Sequence, residues 1–197
     1  MVEGVVQGNF YLLKAVPVGV VKLGIGAPVV STVLEELIAL GVSRFISIGT
    51  AGALQKDARV GQIIVCDSAV RDEGVSHHYL APSKLVYPSR ELTECLVQNL
   101  EQQGLPLQVG PTWTIDTPYR ETVDEARHYQ QEGVLTVEME ASAFFAVAEH
   151  RGVEVASAFV VSDLLGELIW EPQFKSGEAS LALQQLYEVA KSTLASS

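Results

Sequence analysis

Cysteine is nearly absent: Cys66 and Cys95 are the two in 197 residues. They lie far apart, neither belongs to a CxxC pair, and alone they cannot hold zinc. Two reduced thiols, as in a cytoplasmic protein, are expected. Histidine is also scarce, at four residues. The adjacent His77-His78 lacks the i, i+4 spacing of a helical metal motif, so no metal is expected. Positive charge is in short supply: Lys and Arg total 13 against 24 Asp and Glu, a formal net charge of -11. Such a surface repels phosphate backbones, which excludes a general nucleic-acid binder but leaves room for a small anion at a local site. No apolar run reaches the roughly 18 residues of a spanning helix, so no membrane partner is expected. The first residues, MVEGVVQGNF, carry neither a basic n-region nor an apolar h-region, so they do not read as a signal peptide. Charged residues are 19% and hydrophobic residues 48% of the chain, far too apolar for disorder and enough to bury a core.

The apolar pattern alternates between two periods. Residues 10–16 and 18–23 are β-rich runs divided by Pro17 and read as a hairpin or two consecutive strands. After Gly24-Ile25-Gly26, Pro28 suits a first helical turn, and Val30, Val33, Leu34, Leu37 and Ile38 recur at helical spacing before Gly41. Residues 44–48 and 62–66 are short apolar strands, the first ended by Gly49-Thr50-Ala51-Gly52. Ser89 is placed to cap a helix to about residue 103. Residues 107–115 predict a strand. Thr122 and Glu125 have capping-box spacing ahead of another helix. Residues 135–137 predict a strand, 140–150 a helix with Ala141, Phe144, Phe145 and Ala148 on one face, and 153–161 a buried strand. An amphipathic helix over 176–194 closes the chain. Alternating strands and helices with doubly buried strands predict an α/β fold of three layers, α/β/α, around a doubly wound mixed sheet. One domain over residues 1–197 is expected.

In such sheets the ligand lies beyond the C-terminal ends of the strands, so the polar groups there are the candidates. Gly49-Thr50-Ala51-Gly52 offers amides and a hydroxyl to an anion or a water, or is an ordinary tight turn. Gly24-Ile25-Gly26 lacks the third glycine of a dinucleotide fingerprint. Glu138-Met139-Glu140 sets two carboxylates, which suit vicinal sugar hydroxyls, around a deformable thioether. The plainer reading has one Glu solvated and the other at a helix N-terminus. Asp163 follows a buried run; lost hydration favours its protonated form, a general acid, though a helix cap is the commoner use of such a residue. Asp116-Thr117-Pro118-Tyr119-Arg120 offers a ring and a guanidinium as a base-stacking corner, or is a turn.

Taken in order, GIGAP (24–28), IGTAGAL (48–54), VRDEGVSHHYLAP (70–82), DTPY (116–119), VEMEASAFFAVA (137–148) and VVSD (160–163) resemble the nucleoside phosphorylase superfamily. This is the trimer- and hexamer-forming class of uridine phosphorylase, bacterial purine nucleoside phosphorylase, AMP nucleosidase and methylthioadenosine/S-adenosylhomocysteine nucleosidase. The resemblance runs from about residue 10 to the end and is nearest the uridine phosphorylase-like branch. It implies cleavage of a ribosyl N-glycosidic bond, with phosphate or water attacking the anomeric carbon of an oxocarbenium-like sugar. It implies Glu140 and Asp163 as catalytic residues: Glu140 on the ribose 2′- and 3′-hydroxyls, Asp163 at N7 of a purine. Glu138 and Met139 join Glu140 at the ribose. Gly26, Gly49 and Thr50 line the phosphate or nucleophile pocket, and Tyr119, Ala51 and Gly52 flank the base with Asp163. No cofactor is implied beyond phosphate as a co-substrate. The partners implied are a small nucleoside and further copies of the chain, as a dimer-based assembly, trimer or hexamer.

Two departures from the pattern bear on phosphate. Where phosphorolytic members carry an Arg two residues before the glycine of the Ile-Gly-Thr turn, this chain has Ser47, one neutral hydroxyl in place of a charge-assisted fork. The resemblance also places a strand and glycine-rich phosphate loop ahead of Gly24, with an Arg offered to a neighbouring subunit; the domain is expected to lack them, either because the natural protein is short or because the sequence is truncated. The expectation is therefore transfer of ribosyl from a purine nucleoside to phosphate, with two alternatives: a nucleosidase that uses water, or a non-catalytic nucleoside-binding relative.

Overall fold

The structure, a computed structural model, describes residues 9–14 and 16–196. Ala15, inside the first expected strand run, and residues 1–8, read above for a targeting signal, lie outside the described residues.

Strands β1 (Asn9–Leu12) and β2 (Gly19–Lys22) form a separate antiparallel hairpin, with Phe10 opposite Val21. The Phe10 ring lies where a Cβ on Gly19 would sit, at 2.8 Å, so glycine allows the two strands to close. Helix α1 (Ala27–Ala39) starts with Pro28 in its first turn and buries Val30, Val33, Leu34 and Leu37, as the spacing predicts. There follow β3 (Arg44–Ala53), β4 (Ile63–Asp72), the short α2 (Ser76–Tyr79), β5 (Leu85–Val86) and α3 (Arg90–Gln102). Then come β6 (Leu107–Ile115), α4 (Val123–Gln131), β7 (Thr136–Glu138), α5 (Ala141–Arg151), β8 (Glu154–Leu164), β9 (Glu171–Pro172) and α6 (Gly177–Ala195).

The main sheet runs β5-β4-β6-β7-β3-β8-β9 and is mixed: β3 and β8 are parallel, and so are β4, β6 and β7, in the opposite sense. Helices α1 and α5 cover one face through Val33, Leu37, Phe144, Phe145 and Val147. Helices α3 and α6 cover the other through Leu92, Leu96, Leu100 and Leu186. This is the expected three-layer α/β arrangement. It has one feature that alternation alone does not convey. β4 also pairs antiparallel with β8, Ile63 opposite Val160 and Cys66 opposite Ser157, so β4, β6, β7, β3 and β8 close into a ring. Strand twist accumulates across neighbours and brings two strands together that an untwisted sheet would keep apart.

Several boundaries differ from expectation. Gly49-Thr50-Ala51-Gly52 does not end its strand but continues β3, paired with β8. Strand β4 runs on to Asp72, six residues beyond the strand expected over 62–66. Asp163 lies inside β8, not in a turn after it. Ser89 precedes α3, but its hydroxyl accepts from the Val155 amide at 2.8 Å instead of capping the helix. Helix α5 is buried on every side from Ala141 to Ala148, not along one face, because α1 packs on it opposite the sheet. Burial pushes the Cys66 thiol well above its usual range, so this cysteine is an inert part of the core.

Candidate active site

Strand β8 changes neighbour along its outer edge. Ser157–Val160 face β4, whereas Asp163 and Leu164 face β9. On the inner edge Ala51 pairs with Val161 but Gly52 pairs with Asp163, which makes Ser162 the extra residue of a β-bulge. A bulge bends its strand and re-aims the next side chain. Asp163 stays in the strand, paired with Gly52 and Pro172. Its Oδ1 accepts from Ser162 Oγ at 2.7 Å and its Oδ2 from Trp170 Nε1 at 2.8 Å. Glycine at position 52 makes room for this carboxylate, since a Cβ there would lie 2.9 Å from Asp163 Oδ2 and 2.8 Å from Leu165 Cδ1.

The junction of β7 and α5 separates the two glutamates of Glu138-Met139-Glu140. Glu138 is buried; its Oε2 accepts from the amides of Glu140 and Ala141, both at 2.7 Å, and its Oε1 from Thr114 Oγ1 at 2.5 Å. These bonds favour the charged form, but burial outweighs them and pushes the carboxyl up to about 7. Glu138 therefore serves the N-terminus of α5, where it meets unpaired amides. Glu138 lines the same cleft as Glu140, with both of its oxygens already accepting from protein donors. Glu140 is the N-cap residue of α5 and only half-buried. Its Oε1 accepts from the backbone amide of Gly26, which is held at φ +102°, a conformation that favours glycine. Burial raises the Glu140 carboxyl above its ordinary range, against the bonds from the Gly26 and Met139 amides.

Glu140, Met139 and Asp163 line one cleft of about 510 Å3, together with Thr50, Ala51, Gly52 and Tyr119. Apolar walls come from Ile25, Val137, Leu165, Leu168, Trp170 and Phe174. Glu121 also lines it; burial, and then the charges of Asp163 and Glu125, push its carboxyl up to about 7. No Lys or Arg is among the described residues lining the cleft.

The sequence profile of the phosphorylase superfamily matches residues 3–194. This chain belongs to the phosphorylase superfamily. It is 33% identical over 138 residues to a guanosine phosphorylase of Halorubrum lacusprofundi, covering 70% of this chain and 57% of that protein. It is 33% identical over 159 residues to a DeoD-type purine nucleoside phosphorylase of Bacillus cytotoxicus, covering 76% and 65%. A uridine phosphorylase structure from Vibrio fischeri superimposes with a TM-score of 0.83 at 26% identity, covering 95% of this chain and 78% of that one. The chain thus spans less than two thirds of the length of those two sequence relatives.

Within this superfamily member the expected site residues divide into those the cleft gathers and those it does not. Gly49 is in β3 but is not among the lining residues, and Gly26 acts on the cleft through its amide on Glu140. Ser47 pairs with Ser157 in the sheet, away from the lining. Tyr119 is 97% exposed, so in the single chain it stands at the mouth of the cleft rather than over a base, and Arg120 does not line the cleft at all. His77 lies beside Arg71 Nη2, and Arg71 is held by Ser76, Leu80, Ala81 and Ser83, so these residues order the loop after β4. Among the described residues no helix is long and apolar enough to cross a membrane. Sequence reasoning missed Glu121 and Trp170. Glu121 carries a usable signal, since it directly follows a flagged aromatic turn and directly precedes the Thr122 cap.

Proposed function

We propose that this chain cleaves the N-glycosidic bond of a purine nucleoside and transfers the ribosyl group to phosphate, as a pentosyltransferase. The observation that carries the reading is that Glu140 and Asp163, from different elements, line the same cleft with Met139 between β7 and α5. The named relatives, which are purine and guanosine phosphorylases, support the same chemistry.

The cleft suits a reaction that separates charge. As C1′–N9 breaks, the electron pair goes to the base and positive charge grows on the sugar. Glu140 meets the ribose hydroxyls while the Gly26 amide holds its Oε1. A carboxylate there stabilises the developing oxocarbenium ion. Met139 packs under the ribose. A proton on Asp163 Oδ2 passes to N7, so the base departs neutral. Phosphate attacks C1′ from the face opposite the base, with Thr50 as a hydroxyl donor, and ribose 1-phosphate results. A cytoplasmic setting accords with two free thiols. Assembly as a homo-oligomer accords with the exposed Tyr11 and Leu12 of the hairpin.

A second reading has water as the acceptor. It is favoured by a lining that contains Glu121, Glu138, Glu140 and Asp163 without a cation among the described residues. Anionic phosphate is held best by charged or multiple donors.

The experiment is incubation with guanosine, inosine, adenosine and uridine, with and without phosphate. Phosphate-dependent ribose 1-phosphate supports the first reading, and free ribose independent of phosphate supports the second. Saturable binding without turnover leaves a nucleoside-binding relative, and neither binding nor turnover overturns all three.

A further inference from the structure

The loop after β4 takes no part in the proposed reaction, yet it holds a carboxylate as buried as Glu138. Glu73 is 5% exposed, against 6% for Glu138. Its oxygens accept from the Val75 and Ser76 amides, which order the start of α2, and its Oε1 also accepts from Ser142 Oγ at 2.8 Å. Arg71, equally buried, donates through Nε to Ser76 Oγ at 2.9 Å, so a cation and an anion meet inside the protein through one serine. The bonds from Val75 and Ser76 are local. The bond from Ser142 crosses 69 residues and comes from the first turn of α5, two positions after Glu140.

A helix N-cap side chain commonly accepts from the amides of its own first turn. Glu140 makes no such bond. Those amides are met from outside the helix: Glu140 and Ala141 by Glu138, and Ser142 by Thr114 Oγ1 at 3.0 Å. With the turn satisfied by other residues, the Glu140 carboxylate is released toward Gly26 and the cleft. Glu138 and Thr114 hold the turn from β7 and β6. Glu73 holds it from just past the end of β4, by a bond that caps no amide of α5. Burying a carboxylate is costly unless donors meet it; the loop supplies two amides, and Ser142 supplies the remaining donor.

We propose that Glu73 is a positioning residue for Glu140: by holding Ser142 it sets where the first turn of α5 lies against β4, and so the direction in which Glu140 meets the sugar. This rests on the role given to Glu140 above. A reacting group misplaced by about 1 Å can cost roughly 100-fold in rate, so one bond to the helix that carries it registers in kcat.

The test compares Ser142→Ala, Glu73→Gln, the two combined, and Ser142→Ala in a Glu140→Gln background, with inosine, guanosine and adenosine at saturating phosphate. Ser142→Ala removes only the link, since Glu73 keeps the Val75 and Ser76 amides. It is expected to lower kcat by roughly 10- to 100-fold while KM changes by less than about threefold. The combined variant is expected to be no slower than the slower single variant, because both break one contact. In the Glu140→Gln background Ser142→Ala is expected to cost less than about twofold, since the charge it aims is gone. If Glu73→Gln does not fold, the two Ser142→Ala comparisons decide. A loss confined to melting temperature overturns the proposal. So does an equal kcat loss with and without the Glu140 charge, and so do additive losses from Glu73→Gln and Ser142→Ala. In those cases cleavage by the wild type survives, which separates this failure from failure of the functional reading. If the wild type binds the nucleosides without cleaving them, the cleavage reading falls; the same comparisons on Kd then support the positioning role only where Ser142→Ala weakens binding with Glu140 present and not with Glu140→Gln. If it neither binds nor cleaves, both fall.

Discussion

Trp170 Nε1 donates to Asp163 Oδ2 at 2.8 Å, from a segment that leaves β8 and returns as β9. Trp170 is more than half exposed, and its ring lies 6.0 Å from that of Phe174. The indole thus occupies the oxygen that faces the base in the proposed reaction, so a purine whose N7 takes Oδ2 must displace it. Purine nucleosides are therefore expected to change tryptophan fluorescence saturably. Trp170→Phe is expected to abolish that change, leaving the signal of fully buried Trp113. The variant should lower KM by a few-fold, since a hydrogen bond worth about 1 kcal/mol no longer competes with substrate. A nucleoside-induced change that persists undiminished in the variant would show that the indole is not displaced.

Glu140 is expected to matter far more for turnover than for folding. Glu140→Gln keeps an oxygen for the Gly26 amide but removes the charge that faces the sugar. A loss of roughly 100- to 1,000-fold in kcat is expected, comparable to removing one preorganised electrostatic contact. Melting temperature should hold or rise, because burial already disfavours the ionised Glu140 carboxyl. A variant with wild-type kcat removes Glu140 from the chemistry.

The difference between Glu138 and Glu140 shows how far the sequence could be read. Helix α1, the Thr122–Glu125 capping box and strand β6 follow from local spacing, and the structure keeps their boundaries within a residue or two. The two glutamates cannot be told apart locally. Glu138 is claimed by Thr114, which β6 brings alongside β7, and Glu140 by Gly26, which lies 114 residues away. The contacts of Asp163 likewise depend on a bulge at Ser162 and on the return of β9. Closure of the sheet through β4 and β8 depends on twist summed over several strands, which no single segment encodes. Individual elements were legible, then, whereas side-chain assignments made by non-local pairing were not.

Two glycines of β3 offer a paired comparison. A methyl on Gly52 would meet Leu165, Asp163 and Val137 at 2.8, 2.9 and 3.2 Å, whereas one on Gly49 meets nothing within 4 Å. Gly52→Ala is expected to displace the Asp163 carboxylate, destabilise by about 1–3 kcal/mol as overpacking does, and lower kcat. Gly49→Ala is expected to leave both properties near wild type. Circular dichroism melts and kcat for the two variants check this, and equal behaviour would contradict the packing around Asp163.

The pH dependence of stability follows from the carboxyls that burial raises to about 7, Glu138 and Glu121, against an ordinary value of 4.5. Below about 4.5 both are protonated in the folded and unfolded chains alike, so their contribution is fully present. Between 4.5 and 7 the unfolded chain releases protons that the folded chain retains, so stability falls as pH rises. Above about 7 both states are ionised and the loss is complete. These two groups are thus expected to lower the melting temperature across that window. Glu138→Gln, whose amide oxygen can still accept from the Glu140 and Ala141 amides, should make the decline shallower. Glu138→Ala leaves those amides without a carboxylate and should cost about 1–3 kcal/mol near pH 5. A decline equally steep in wild type and Glu138→Gln would mean that Glu138 is not the buried acid that titrates.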